Sequence, residues 1–230
     1  GPGNDTMRGG KGDDTYIVDS LSDSVVESFG QGTDTVIAHV TGYVLPINVE
    51  YLVLAAGAGN LSGKGNNLSN ILVGNEGDNT LDGGLNDDIM IGGEGNDVYK
   101  VDNANDLIIE EADYQDDLGI WHYGGIDRVD STISFDLAFN VENLTLENID
   151  NITLLGSGDN SATGNELANV LIGNNGNNLL DGRGGNDSMS GGLGNDSYIV
   201  EQAGDVITEL SGQGTDLVRS TLASFDLGTG

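Results

Sequence analysis

Three stretches decide how this chain folds: Gly9-Gly10-Lys11-Gly12-Asp13-Asp14-Thr15-Tyr16-Ile17, Gly92-Gly93-Glu94-Gly95-Asn96-Asp97-Val98-Tyr99-Lys100 and Gly191-Gly192-Leu193-Gly194-Asn195-Asp196-Ser197-Tyr198-Ile199. All three are copies of one nine-residue pattern, Gly-Gly-x-Gly-x-Asp-x-(large apolar)-x. The glycines permit an open turn with positive φ. The aspartate sets a carboxylate beside the backbone carbonyls of that turn, a hard-oxygen donor set suited to Ca2+. The apolar residue two places later falls on a short strand, where successive side chains face opposite sides. One pattern thus joins a turn able to hold a cation to a strand able to build a core.

Outward from these copies the pattern keeps its phase. Coils begin at Ala56, Gly65, Gly74, Gly83, Gly92 and Val101, and again at Leu155, Gly164, Gly173, Gly182, Gly191 and Val200. The inward position reads Leu72, Leu81, Met90, Tyr99, Ile108 in the first block and Leu171, Leu180, Met189, Tyr198, Ile207 in the second. Six residues of turn and three of strand per nonapeptide mean that two nonapeptides close a coil. Turns on one side then recur every 18 residues and stack one strand spacing apart, about 4.8 Å. The expected fold is all-β, a parallel β-roll or β-helix solenoid whose coils touch only their neighbours.

A larger unit is superposed on the nonapeptides. Asp23, Glu27 and Asp34 are echoed by Asp106, Glu110 and Asp127 and by Asp205, Glu209 and Asp216. Asn48-Val49-Glu50-Tyr51-Leu52-Val53-Leu54 is echoed by Asn140-Val141-Glu142-Asn143-Leu144-Thr145-Leu146. The expected division is residues 1–54, 55–154 and 155–230 as three repeat units of one continuous solenoid, with parent sequence on both sides. The middle unit carries an insertion at 113–124 that holds Trp121, the only tryptophan, and His122.

Composition narrows the function. Seven Lys and Arg stand against 38 Asp and Glu, for a net charge of −31. That many carboxylates crowded on turns repel one another in a compact state, and divalent cations are the natural remedy. The same charge, with no basic patch, argues against nucleic acid and anionic membranes as partners. No apolar run is long enough to span a membrane. With no cysteine, disulfides and thiolate metal sites are excluded. Catalytic signatures are missing: there is no His-Glu-x-x-His, and His39 and His122 are isolated. No Gly-x-Ser-x-Gly elbow is present. Carboxylates in ladders of 18 read as metal ligands, not as an acid–base dyad. The chain is therefore read as non-enzymatic.

These repeats resemble the RTX, or hemolysin-type, calcium-binding nonapeptides of secreted bacterial proteins, a Ca2+-binding parallel β-helix repeat. The resemblance implies a right-handed roll in which several Ca2+ ions bridge neighbouring turns. It points to Asp5 with Asp23, Asp88 with Asp106, and Asp187 with Asp205 as carboxylates sharing a metal. Asp14 breaks the spacing, because the residue 18 further on is Gly32; a two-residue insertion, Glu27-Ser28, moves the next aspartate to Asp34. Asp196 behaves the same way toward Glu209 and Asp216. One further site per unit follows, closed by Glu27, Glu110 or Glu209 and by Asp34, Asp127 or Asp216, with Asp14, Asp97 or Asp196 opposite. Backbone carbonyls at the second and fourth repeat positions complete the shell: Gly10, Gly12, Gly30, Gly32, Gly84, Gly93, Gly95, Gly125, Gly185, Gly192, Gly194, Gly212 and Gly214. Asn replaces Asp at Asn70, Asn79, Asn169 and Asn178, where calcium binds weakly or not at all and stacked Asn side chains hydrogen-bond along the roll instead. Asn86 also replaces a turn glycine.

The resemblance further implies a monomeric, non-catalytic calcium-binding module, exported by a type I system and folding outside the cell. It would serve as a structural, secretion-assisting part of a larger secreted or surface protein such as an adhesin or toxin. Neighbouring domains of the parent are its expected partners. Two alternatives stand beside it: an adhesin segment binding a cell-surface or carbohydrate ligand through the Trp121 loop, and the accessory domain of an exoenzyme.

Overall fold

The structure is a computed structural model, and it describes residues 1–110, 114–115, 119–146 and 159–225. The side chains of Tyr114, Trp121, Thr145 and Leu146 also lie outside the described set. Every described element is a β-strand of two to four residues, and no helix occurs among the described residues. The chain divides into two compact units, Gly1–Asp127 and Arg128–Gly230.

In the first unit, six parallel strands form a sheet in the order Leu107–Ile109, Ile89–Ile91, Ile71–Val73, Tyr51–Leu54, Thr35–Ala38, Thr15–Val18. Across the core, Tyr43–Val44, Ser62–Lys64, Thr80–Asp82 and Val98–Val101 pair in sequence, also parallel. Alternate strands join the same sheet, as expected when two nonapeptides close a coil. Ile71, Ile89 and Leu107 are partners in register, 18 residues apart at each step. Where Glu27-Ser28 is inserted, Thr15 pairs with Thr35, and the step lengthens to 20.

A strand of three residues turns only its middle side chain inward, so the core is one residue wide per strand. Leu72, Leu81, Met90 and Tyr99 are fully buried on this pattern. The ladder contains one gap by design of its neighbours: at Gly63 a Cβ would come within 2.5 Å of Leu52 Cδ2. One outward file of the six-stranded sheet is β-branched throughout, with Ile17, Ile37, Val53, Val73, Ile91 and Ile109 in register. Such side chains fit a pleated surface well, which supports strands too short to persist alone.

The second unit repeats the plan. Arg128–Ser131, Asn143–Leu146, Val170–Ile172, Ser188–Ser190 and Val206–Ile207 pair in parallel. Phe135–Asp136, Ser161–Thr163, Leu179–Asp181, Ser197–Val200 and Leu217–Ser220 form a second parallel sheet. Leu144, Leu171, Leu180, Met189 and Tyr198 are fully buried. Each unit is thus a parallel β-solenoid with a thin, largely aliphatic core, and the sixth-position carboxylates lie in the turns between strands.

The inserted segment forms a short antiparallel hairpin, Tyr114–Gln115 against Trp121–His122. Gln115 Nε2 donates to the Gly119 carbonyl at 2.9 Å across the hairpin turn. His122 Nδ1 lies 2.5 Å from Glu94 Oε1, which ties the hairpin to the turn that carries Asp97. The expectation of a Trp121 ligand-binding loop rests on a side chain outside the described set, as do residues 113 and 116–118 of the insertion.

Candidate metal centres

The turns are held together before any cation is considered. From Asp23 onward, the sixth-position carboxylates use one oxygen to accept the backbone N–H of the corresponding residue one coil earlier. Asp97 Oδ1 accepts from Asn79 N at 2.7 Å, and Asp127 Oδ1 accepts from Asp97 N at 2.8 Å. Asp196 Oδ1 accepts from Asn178 N at 2.7 Å, and Asp216 Oδ1 from Asp196 N at 2.9 Å. Asp34 Oδ1 accepts from Asp14 N at 2.9 Å. These bonds aim the second oxygen of each carboxylate into the space between turns.

Three clusters result. Asp14, Glu27 and Asp34 bring carboxylate oxygens within 4.8 Å of one another, as do Asp97, Glu110 and Asp127, and Asp196, Glu209 and Asp216. Asp97 and Asp196 are each 1% exposed, yet Oδ2 of Asp14, Asp97 and Asp196 and Oε2 of Glu209 have no hydrogen-bond partner. An orphaned buried carboxylate oxygen is costly unless something cationic meets it. Burial raises the Asp97 carboxyl to about 6, against an ordinary value near 4. Burial also raises Asp34 and Asp196, with neighbouring carboxylates adding to the effect. The clusters are therefore strained as anions and shaped as oxygen cages.

Each cluster also holds a tyrosine. Tyr16, Tyr99 and Tyr198 donate their hydroxyls to Glu27, Glu110 and Glu209 respectively. The Tyr16 hydroxyl accepts in turn from Gly9 N at 2.7 Å, and the Tyr198 hydroxyl from Gly191 N at 2.6 Å. Burial and the glutamate together push the Tyr16 phenol up to about 12 and those of Tyr99 and Tyr198 well above the ordinary range, so all three remain donors. The phenol fixes one oxygen of each glutamate; the second oxygen of Glu209 has no hydrogen-bond partner, and that of Glu27 accepts the Ser28 N–H at 3.3 Å. In the sequence these tyrosines were legible only as rungs of the core ladder.

The first glycine of each repeat is also part of the site. A Cβ at Gly9 would collide with the Asp14 carboxylate and the Tyr16 hydroxyl, and one at Gly191 with the Asp196 carboxylate. At Gly92 it would strike the Tyr99 hydroxyl and the Asp97 carboxylate, and lie 2.6 Å from Glu110 Oε1. The glycines expected to offer carbonyls fall into two kinds. Gly93 and Gly95 have φ of +100° and +112°, a region L side chains rarely adopt. Gly32 and Gly214 do not; a Cβ there would run into the carbonyl of the turn below, Gly12 or Gly194. Asn86, placed where glycine is usual, takes φ +76°, and its Nδ2 donates to the Asn67 carbonyl at 2.8 Å.

The pairs expected at a spacing of 18 are brought together in a particular way. Asp23 Oδ1 accepts from Asp5 N at 2.9 Å, Asp106 Oδ1 from Asp88 N at 3.1 Å and Asp205 Oδ1 from Asp187 N at 3.1 Å. Their Oδ2 atoms accept further backbone N–H groups, from Asp19 and Ser20, from Asp102 and Asn103, and from Glu201 and Gln202. Asp23, Asp106 and Asp205 therefore close the turn that contains them. The oxygens without partners are Oδ2 of Asp88 and Asp187, each on a residue 1% exposed. Burial, with the later aspartate adding, raises Asp88 to about 7 and Asp187 to about 6.

Residues 1–25, 64–99 and 163–198 match the family model of the RTX calcium-binding nonapeptide repeat (4 copies). No curated protein matches the chain. The matched segments contain Asp14, Asp88, Asp97, Asp187 and Asp196, the aspartates whose second oxygens lack partners. The chain carries RTX repeats, these repeats bind Ca2+, and the acidic clusters are positioned for metal ions.

Proposed function

Because the chain is built of RTX calcium-binding nonapeptide repeats, we propose that it is a structural module folded by calcium outside the cell, part of a larger secreted or surface-displayed protein such as an adhesin or toxin. The observation that supports this most is the set of three Asp–Glu–Asp clusters with buried, partnerless oxygens. Without cations, a net charge of −31 and a core one side chain wide oppose folding. A bound Ca2+ supplies the positive charge that these cages lack, and its binding free energy then becomes folding free energy.

The chain's own residues do the rest. Asn79 and Asn178 hold the first aspartate of a cluster through their backbone N–H groups, and the tyrosine hydroxyls hold the glutamates. Asp34, Asp127 and Asp216 close the clusters from the next turn. Proposed ligands are the cluster carboxylates with Asp88 and Asp187, together with turn carbonyls of the neighbouring glycines. The repeats are a structural calcium-binding module and not a catalytic one. No helix among the described residues is long and apolar enough to cross a membrane. Export in an unfolded state through a type I system fits a chain that stays open where calcium is scarce.

Far-UV circular dichroism during a calcium titration, with magnesium as control, tests the proposal. The expected result is a cooperative coil-to-β transition specific to Ca2+, since Mg2+ demands a tighter octahedron and sheds water reluctantly. A β spectrum already complete in chelator would overturn it.

A further inference from the structure

Four turns carry asparagine where their neighbours carry aspartate, at Asn70, Asn79, Asn169 and Asn178. Each has a companion asparagine at the second repeat position, where the metal-binding pattern has glycine: Asn66, Asn75, Asn165 and Asn174. All except Asn66 are buried.

The amide groups of these pairs are engaged in a common way. Asn66 Nδ2 donates to the carbonyls of Pro46 and Val49 at 2.7 and 2.8 Å, and Asn70 Nδ2 to Val49 and Glu50 at 3.1 and 3.2 Å. In the second unit, Asn165 Nδ2 donates to Ala138 and Val141 at 2.7 and 2.9 Å, and Asn169 Nδ2 to Val141 and Glu142 at 3.3 and 3.1 Å. On the other side of the first unit, Asn75 Nδ2 donates to Ala55 and Gly59 at 2.9 and 3.0 Å. The oxygens are used as well: Oδ1 of Asn70, Asn79, Asn169 and Asn178 accepts the backbone N–H of its companion at 2.7 to 2.8 Å.

The contrast with the aspartate turns is one of sign. Asp88, Asp97, Asp187 and Asp196 leave a buried acceptor pointing into the gap between turns. The asparagine pairs place N–H donors against carbonyls of the turn below. A carbonyl that already accepts an N–H donor is a weaker ligand for a cation, and the neutral amide brings no charge to attract one.

We propose that these four turns take no calcium, and that each asparagine pair is an amide clamp doing for its turn what the ion does elsewhere. This rests on the calcium-folding reading above. Position gives the clamp a role. In both blocks the asparagine turns precede the aspartate turns, at 65–70 and 74–79 and at 164–169 and 173–178. The backbone N–H of each then donates to the aspartate one coil later: Asn70 to Asp88, Asn79 to Asp97, Asn169 to Asp187 and Asn178 to Asp196, at 2.7 to 2.9 Å. Four of the five aspartates with partnerless oxygens, Asp88, Asp97, Asp187 and Asp196, therefore rise from a turn whose sixth position is a neutral amide and which already aims the aspartate; Asp14 is the exception. Each unit contains a metal-independent platform on which the calcium-dependent coils assemble.

Equilibrium dialysis of the 230-residue chain against calcium chloride tests this in both directions. The double variant Asn75→Gly/Asn79→Asp restores the full Gly-Gly-x-Gly-x-Asp pattern at residues 74–79. It should bind one more calcium ion per chain than the parent; an unchanged count overturns the clamp. Single variants Asn66→Ala and Asn75→Ala should keep the parental ion count at saturation while melting several degrees lower. Loss of a bound ion from either would show that the asparagine turns are metal sites after all. A parent chain that bound no calcium would defeat the functional proposal instead, so the two failures are distinguishable.

Discussion

Replacing Gly92 by alanine isolates the chemistry of one cluster from the conformation of its turn. Gly92 does not occupy the left-handed region, so alanine suits its backbone. The added methyl would meet the Tyr99 hydroxyl, Asp97 Oδ2 and Glu110 Oε1. None of these is a loose end: Asp97 is held by Asn79 N at 2.7 Å, and Tyr99 by Glu110. Overpacking of this kind costs about 1–3 kcal/mol. If the cluster yields by turning Asp97 away, that cost falls on binding, and at about 1.4 kcal/mol per factor of ten the site weakens roughly five- to 150-fold. Isothermal titration calorimetry should show one calcium equivalent moving to higher concentration while the rest titrate as before. Gly10→Ala is the control. Its φ is +95° and nothing lies within 4 Å of a Cβ there, so it adds backbone strain of about 1–2 kcal/mol and no collision with ligands. It should lower the melting temperature of the loaded protein and leave the calcium equivalent assigned to Asp97, Glu110 and Asp127 where it is in the parent. An isotherm of Gly92→Ala identical to the parent's would refute the assignment of Asp97, Glu110 and Asp127 to a metal.

Other consequences are open to measurement. Tyr99→Phe removes the donor that fixes Glu110; a hydrogen bond to a charged group is worth about 1.5–3 kcal/mol, so calcium affinity at that cluster should fall roughly tenfold or more, and equal affinity would show the phenol to be only a core rung. Leu72→Ala, at a fully buried position, should cost about 2–5 kcal/mol in the calcium-loaded protein by thermal melting. Proton linkage gives a further test: burial raises Asp88 to about 7 and Asp97 and Asp187 to about 6, so the folded, metal-free chain holds protons more tightly than the unfolded chain between about pH 4 and 7. Metal-free stability should therefore fall as pH rises through that window. In chelator, acidification from pH 8 to 5 should increase β content by circular dichroism; a spectrum indifferent to pH contradicts the sign.

Much of this architecture is legible in the chain because its period is strict. A rung every nine residues, with Leu72, Leu81, Met90 and Tyr99 in phase, leaves little freedom over which residues share a face. The cluster spacing is legible for the same reason: Glu27-Ser28 shifts Asp34 by two places, and the strands keep register by pairing Thr15 with Thr35. What escapes a linear reading is chemistry that depends on side-chain direction. Tyr16 looks like any other inward aromatic until its hydroxyl is seen to reach Glu27. Gly9 is one glycine among 38 until the space beside it proves to be filled by a carboxylate. Asp23 and Asp106 look like ligands by spacing, yet each takes backbone N–H groups on both oxygens. His122, isolated in sequence, meets Glu94 because the insertion folds back as a hairpin, a contact that no repeat period encodes.

The three tyrosine–glutamate contacts have an optical consequence. Seven tyrosines and a single tryptophan absorb in this chain, and three of those tyrosines touch a carboxylate of an acidic cluster. A lanthanide of calcium's size seated in a cluster would sit within energy-transfer distance of a phenol. Terbium emission excited through tyrosine would then report each centre as it fills, and Tyr16→Phe, Tyr99→Phe and Tyr198→Phe would darken them one at a time. The protein thus carries its own donor chromophore at each cluster, and the order in which the three fill can be read without attaching a label.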